Sequence, residues 1–280
     1  MSDDQITDRV RQHYSAASQG NNAAYSRSIA TAFGYTEEDL AGAPKEANLG
    51  LSCGNPLAIA KLREGEVVID LGSGAGFDVF QVSNKVGSTG QVIGVDSNKD
   101  MLARANKIKA DQGKENVQFI ESDITAIALP AGTADCIISN CVINLVPDSQ
   151  KQLVFNEIFR LLKPGGRVAV SDILAKKTLP ESLRNDMALY VGCIAGASQV
   201  DEYRKYLSNA GFRDSLISDT HSNLNAYLES GDGAQSSCCS PPSSGNIPEI
   251  QKKVAKGSLD FNEWAGSYKV YAVKPASDAT

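Results

Sequence analysis

The chain has 280 residues, 42% of them hydrophobic and 21% charged, ordinary proportions for a soluble globular protein with a full core. With 27 basic against 33 acidic residues, a net charge of −6 and no long basic run, it lacks the electrostatic footprint of a nucleic-acid binder. No run approaches the roughly 18 apolar residues a membrane span needs, and the acidic start Met1-Ser2-Asp3-Asp4 has no apolar leader core. The expectation is a cytoplasmic protein with reduced thiols and no membrane partner.

Residues 1–50 read as an N-terminal helical cap. Ile6, Val10 and Tyr14, then Ile29, Ala30 and Phe33, are its apolar points, and Gly34, Gly42 and Pro44 interrupt it. Residues 51–175 read as the core. Val67 to Leu71 is a short apolar run that ends at Asp70 and a glycine loop, and a helix follows from Phe77 to Val86. A second run, Gln91 to Val95, ends at Asp96 and leads into a helix through Met101, Leu102, Ala105 and Ile108. A third run, Val117 to Ile120, ends at Asp123. A fourth, Asp135 to Ser139, precedes a helix from Ser149 to Leu162 that stops at Lys163-Pro164-Gly165-Gly166. Arg167 to Ile173 is the fifth strand. Strands alternating with helices predict an α/β, Rossmann-like parallel sheet covered on both faces.

Residues 176–230 read as a substrate-binding lid, helical from Pro180 to Gly211, with a sixth strand from Phe212 to Ser218. Residues 231–246 lie in a Ser-, Gly- and Pro-rich stretch that reads as a flexible insertion holding Cys238-Cys239. Residues 247–280 return to the sheet through Ser267 to Val273, expected to pair beside the sixth strand.

Gly72-Ser73-Gly74-Ala75-Gly76 joins a strand to a helix, where glycines allow a sharp turn and close approach of a ligand. The free N–H groups of the helix start can hold a carboxylate. An acidic residue at the tip of the next strand, Asp96, can accept from two ribose hydroxyls. The spacing is not that of a nicotinamide loop, because Phe77 stands where the third glycine belongs; a phosphate loop would need a lysine that is absent. A Rossmann-like domain binding another nucleotide, or none, is the plain alternative. The ordered set of Asp70, Gly72, Gly74, Gly76, Asp96, Asp123-Ile124 and Ser139-Asn140 resembles the class I S-adenosylmethionine-dependent methyltransferases. That resemblance implies Asp70 beside the cofactor ammonium, Ser73 in the loop, Ser97 at the adenosine, Asp123 and Ile124 flanking the adenine, and Asn140 at the methyl-donor end.

Six cysteines are present, none spaced as C-x-x-C, and only two histidines, His13 and His221, which speaks against a structural zinc site. Cys136 falls inside the fourth strand and reads as core. Cys53 lies in the loop from Ala47 to Pro56, Cys141 follows the fourth strand, and Cys193 lies between Val191 and Ala197. Each alone reads equally well as a small buried hydrophobe, but their segments are expected to converge above one sheet edge. With Ala32 to Leu40 and Ser139 to Asp148, these segments resemble arsenite methyltransferases over roughly residues 5 to 230. The resemblance implies methyl transfer from S-adenosylmethionine to trivalent arsenic, arsenite or methylarsenite, in arsenic detoxification. Cys53, Cys141 and Cys193 would hold the arsenic, and a small thiol or thioredoxin-like reductant would be co-substrate. Soft thiolates suit soft trivalent arsenic, and its lone pair needs no general base to attack a sulfonium methyl. Cys238 and Cys239 would be an auxiliary capture pair or an exposed pair without catalytic role.

Two features depart from that family. No cysteine precedes Cys53, and Ser97 stands where members often have Met. The competing readings are a C- or O-methyltransferase of a quinone- or sterol-like substrate, with Cys53 and Cys193 apart, and a metalloid-binding protein that has lost turnover.

Overall fold

The computed structural model describes residues 2–20, 22–184, 186–226 and 260–276. The described part of residues 1–50 holds the α-helices α1 (Asp3–Ala17), α2 (Ala23–Ala32) and α3 (Glu37–Ala41). Their starts follow from capping chemistry: Ser2 and Thr36 each form a reciprocal capping box, and Asn22 accepts from the Tyr25 N–H. Helix α1 has no buried residue and packs lightly, whereas α2 buries Tyr25, Ile29 and Ala30.

The core begins with α4 (Leu57–Ala60) and β1 (Val67–Leu71), then α5 (Phe77–Val86), β2 (Gln91–Asp96) and α6 (Lys99–Asp111). It continues with β3 (Val117–Glu121), β4 (Ala134–Asn140), α7 (Lys151–Leu161) and β5 (Leu162–Ala175). Beyond it lie α8 (Glu181–Arg184), α9 (Met187–Val191), α10 (Val200–Ala210), β6 (Ser215–Asp219) and β7 (Ala265–Val273). The sheet order is β3-β2-β1-β4-β5-β7-β6. β1 to β5 are mutually parallel, while β7 runs antiparallel to both β5 and β6. Strand β7 does pair beside β6 as the sequence suggested, but it slots between β6 and β5. The sheet is therefore mixed, not wholly parallel.

Sequence-based boundaries move: β5 begins at Leu162 and not Arg167, and β7 at Ala265 and not Ser267. The helix expected from Pro180 to Gly211 is three short helices, the last closed by Gly211 in the left-handed region (φ 113°). Phe212 is not in a strand; its ring meets Phe159 edge-on in the core.

Both sheet faces are covered. One cluster joins Ile69, Leu71 and Val95 to Phe155, Ile158 and Tyr203, and the other joins Val68, Val92 and Ile138 to Val79 and Val82 of α5. Cys136 belongs to the second cluster, and burial pushes its thiol up to about 12, so it is core, as its position within β4 suggested. No helix among the described residues is long and apolar enough to cross a membrane. Cys238 and Cys239, with the whole 231–246 stretch, lie outside the described residues.

Candidate active site

Parallel strands β1, β2 and β4 end together at one sheet edge, and the break in strand order between β1 and β4 opens a crevice there. The glycine loop turns out of β1 into that crevice. Gly72 has φ 71°, and a Cβ there would run into the Val142 side chain. Gly76 has φ 91°, and a Cβ would meet Phe80 and Phe119. Both positions demand glycine for conformation and for space.

The cavity above the loop is lined by Asp70, Gly72, Ser73, Gly74, Asp96, Ser97, Asp123, Ile124, Asn140 and Cys141. Of the residues expected at a cofactor, only Gly76 does not line it; Gly76 shapes the start of α5 instead. Asp96 accepts from the Gly74 N–H at 2.8 Å and from the Asn98 N–H at 2.8 Å, which fixes its carboxylate at the tip of β2. Asp123 accepts from the Thr125 N–H at 3.0 Å.

Several lining residues were not among those expected at a cofactor. Thr7, Val10, Arg11 and Tyr14 of α1 close one side. The helix is tied down by Asn98, whose Nδ2 donates to the Arg11 carbonyl at 3.0 Å while its Oδ1 caps α6. Asp78, in the first turn of α5, accepts from Tyr35 Oη at 2.6 Å and from Asn140 Nδ2 at 3.1 Å. A carboxylate in the first turn after a glycine loop is the sequence clue that would have found it.

The electrostatics of the cavity are one-sided. Burial raises the Asp70 carboxyl well above its ordinary range, and the neighbouring Asp78 and Asp96 charges add to the effect. Burial lifts Asp78 to about 6 against hydrogen bonds from Tyr35 and Asn140, and burial also raises Asp96. Among the described residues, Arg11 is the sole basic side chain lining the cavity. Buried carboxylates without cationic partners suit a ligand that brings positive charge. The Ser73 hydroxyl is also buried with no hydrogen-bond partner among the described residues, an open donor and acceptor in the loop itself.

The three candidate cysteines meet at the far end of this cavity. Cys141 lines it and sits at φ 60°; Cys193 sits at φ 64°. Left-handed backbone at non-glycine residues concentrates at functional sites. The Cys193 Sγ–H donates to the Cys141 carbonyl at 2.9 Å. Cys53 and Cys141 are joined as a disulfide with Cα atoms 5.6 Å apart, whereas reduced thiols were expected. That separation falls where disulfides are most common, so the two loops hold the sulfurs at bonding distance. Asp172 of β5 lies against the pair: its carboxylate and the Cys53 and Cys141 sulfurs are all within 4.8 Å of one another. Burial raises Asp172 to about 7, against a hydrogen bond from Tyr203.

Asn140 links the two ends. Its Nδ2 donates to the Gly54 carbonyl at 2.9 Å, and its Oδ1 accepts from the Cys53 N–H at 3.3 Å.

Residues 62–211 match a protein family described as a methyltransferase domain. The chain belongs to that family. This methyltransferase domain is 44% identical over 179 residues to an arsenite methyltransferase of Halobacterium salinarum, covering 64% of this chain and 45% of that one. It is 36% identical over 170 residues to the human arsenite methyltransferase, covering 57% of this chain and 44% of that one. The chain thus spans less than half the length of these curated relatives. Its fold resembles an arsenic(III) S-adenosylmethionine methyltransferase from Chlamydomonas reinhardtii (TM-score 0.58, 26% identity, 90% of this chain and 74% of that one). It also resembles a phosphoethanolamine N-methyltransferase from Haemonchus contortus solved with S-adenosyl-L-methionine (TM-score 0.62, 23% identity, 80% and 53%), a likeness of fold alone. The strand order and the antiparallel β7 make it a class I, Rossmann-like methyltransferase domain.

Proposed function

We propose that this methyltransferase domain transfers a methyl group from S-adenosylmethionine to trivalent arsenic held by Cys53, Cys141 and Cys193. The observation that carries the reading is that Cys141 lines the same cavity as the glycine loop and Asp96, with Cys53 and Cys193 both against it. The relatives' activity points the same way.

The cavity fits the cofactor. Asp70 and Asp78 would balance its ammonium and sulfonium charges, Asp96 would accept from the ribose hydroxyls, and Ser73 would gain the partner it lacks. Asp123, Ile124 and Ser97 would hold the adenosine. Bound there, S-adenosylmethionine supplies an electrophilic sulfonium methyl.

The cysteines supply the acceptor. Two thiols of a small or thioredoxin-like reductant would open the Cys53–Cys141 disulfide, leaving two protein thiols and an oxidised reductant. Each protein thiol then replaces one arsenic hydroxyl, its proton leaving with that hydroxyl as water. The arsenic lone pair, opposite the sulfurs, would take the methyl, with the sulfur–methyl bond breaking and its electron pair staying on the cofactor's sulfur, which leaves as the neutral thioether. No general base is needed, and the protein's contribution is to hold donor and acceptor in line. Transfer raises arsenic to the pentavalent state, and two thiolates closing as a disulfide return its two electrons. A supply of reduced thiols is what the cytoplasm offers. On this reading residues 1–50 cap the cofactor, residues 51–175 bind it, residues 176–230 complete the arsenic site, and Cys238-Cys239 capture arsenic from solution.

The rival C- or O-methyltransferase reading is disfavoured because it left Cys53 and Cys193 apart, whereas both meet Cys141. The deciding experiment is arsenic binding: Cys141→Ser and Cys193→Ser are expected to lose bound arsenic, by mass spectrometry, while keeping cofactor affinity. Unchanged arsenic affinity in both variants counts against the three-sulfur site.

A further inference from the structure

Asp172 takes no part in the mechanism above, yet it is a fully buried carboxylate beside the sulfurs. It is also rigidly held. Its Oδ1 accepts from Asn144 Nδ2 and from the Ile173 N–H, each at 2.9 Å, and its Oδ2 accepts from Tyr203 Oη at 2.9 Å. Asn144 is locked in turn, since its Nδ2 also donates to the Ile173 carbonyl. A carboxylate oxygen has two lone-pair directions, so Oδ1 is fully used while Oδ2, which accepts from Tyr203, keeps one open. A further buried oxygen on the same network, Asn144 Oδ1, has no hydrogen-bond partner among the described residues. Buried polar groups left open beside a candidate binding centre call for a ligand with its own polar hydrogens.

We propose that Asp172 accepts a hydrogen bond from a hydroxyl that stays on arsenic after Cys53 and Cys141 have displaced two others. This inference rests on the reading of function just given, and it names the form of arsenical admitted. The Cys193 thiol is engaged by the Cys141 carbonyl, so the sulfurs offered first are those of Cys53 and Cys141. Arsenous acid brings three hydroxyl groups. Two leave as water, each taking one thiol proton, as two arsenic–sulfur bonds form. The third remains on arsenic, donates to Asp172, and is itself lost as water when Cys193 closes the site. Asp172 would then make the pocket selective for hydroxylated arsenicals over those whose arsenic keeps no hydroxyl once both thiols have bound. Tyr203 is a positioning residue that aims the carboxylate.

Two arsenicals separate this role from a structural one. Phenylarsine oxide, as its hydrate, has only two hydroxyl groups and spends both on the two thiols. Arsenite retains one. Capture of each is followed by stopped-flow absorbance of the forming arsenic–sulfur bonds on the 280-residue chain reduced with a phosphine, which does not compete for arsenic; the Asp172 contact exists only before Cys193 displaces the last hydroxyl, so it acts on the rate. Asp172→Asn is expected to slow arsenite capture about tenfold or more, the value of one hydrogen bond to a charged group. Phenylarsine oxide should stay within about twofold. Tyr203→Phe, which keeps the carboxylate, should shift arsenite in the same selective direction by less. Equal losses for both compounds, or no loss for either, overturn the proposal. So does wild-type protein that binds phenylarsine oxide but not arsenite, a result that leaves the thiol site standing. Wild-type protein that binds neither overturns the functional reading as well. If Asp172→Asn does not fold, Tyr203→Phe alone decides: a selective arsenite loss supports the proposal, and its absence overturns it.

Discussion

Asn140 accepts a hydrogen bond from the Cys53 N–H while donating to the Asp78 carboxylate, so one side chain spans from the cysteine loop to the glycine-loop helix. The segments it joins are far apart in sequence, at separations of 87 and 62 residues. Their relative position is therefore set by the fold, and one amide reports on it.

Removing that amide should cost rate more than cofactor binding. Asn140→Ala removes two ties on the Cys53 loop, leaving the Ser267 hydroxyl on the Cys53 carbonyl, and takes one hydrogen bond from Asp78. Methyl transfer at saturating cofactor is expected to fall about 100-fold, the scale of a misplacement near 1 Å. Cofactor affinity should change far less. An unaltered turnover number would show that the cysteine loop is held without Asn140.

Asp96 is the residue whose loss should tell on affinity. Its carboxylate is oriented by two backbone N–H groups and stands at the end of β2. Asp96→Ala is expected to weaken cofactor binding about 10- to 100-fold, as charged hydrogen bonds of about 1.5–3 kcal/mol are lost. Calorimetry reads this directly. Equal affinities would place the ribose elsewhere.

Much of this site could be read from the chain itself. A short apolar run, three glycines and an acidic residue at the next strand tip are local signals, and β1, its loop and Asp96 stand where those signals put them. The cysteine segments were visible as motifs. Three things were not. Tyr35 and Asp78 meet across 43 residues, and no local pattern encodes that contact. Asp172 stands in the run Val168 to Ala175, where a polar residue in a strand buried on both faces was itself the clue. The antiparallel place of β7 is set by β5 and β6 together, while its alternation fits either direction.

Asp78 gives the site a pH dependence with a definite sign. Its carboxyl rises from an ordinary 3.8 to about 6, so the native state holds that proton more tightly than the unfolded chain. The stability it contributes is present below pH 4 and lost as pH rises through 6, about 3 kcal/mol in all. Asp78→Asn should remove that loss in denaturant titrations at pH 4 and pH 7. Affinity for a cationic cofactor runs the opposite way, strengthening as pH rises through 6 and then levelling. A cofactor affinity independent of pH between 5 and 7 would contradict this account of Asp78.

Lys151 anchors the far side of the cysteine chamber. Its buried ammonium donates to Asp148 at 2.7 Å, to the Gly196 carbonyl at 2.6 Å and to Ser198 Oγ at 3.0 Å. It thereby ties α7 to the turn that carries Cys193. Lys151→Ala is expected to destabilise the fold by about 3 kcal/mol, the scale of breaking a buried charged network. Thermal unfolding checks this; a loss below 1 kcal/mol would mean that water replaces the ammonium.

The central claim is that arsenic accepts the methyl group. The purified chain should be incubated with S-adenosylmethionine, a thiol reductant and arsenite or methylarsenite, and the arsenic species resolved by mass spectrometry. Methylated arsenic that accumulates with time, depends on the reductant and vanishes in Cys141→Ser is the result expected. Protein that binds the cofactor and arsenic yet forms no methylated arsenic from either substrate would contradict it.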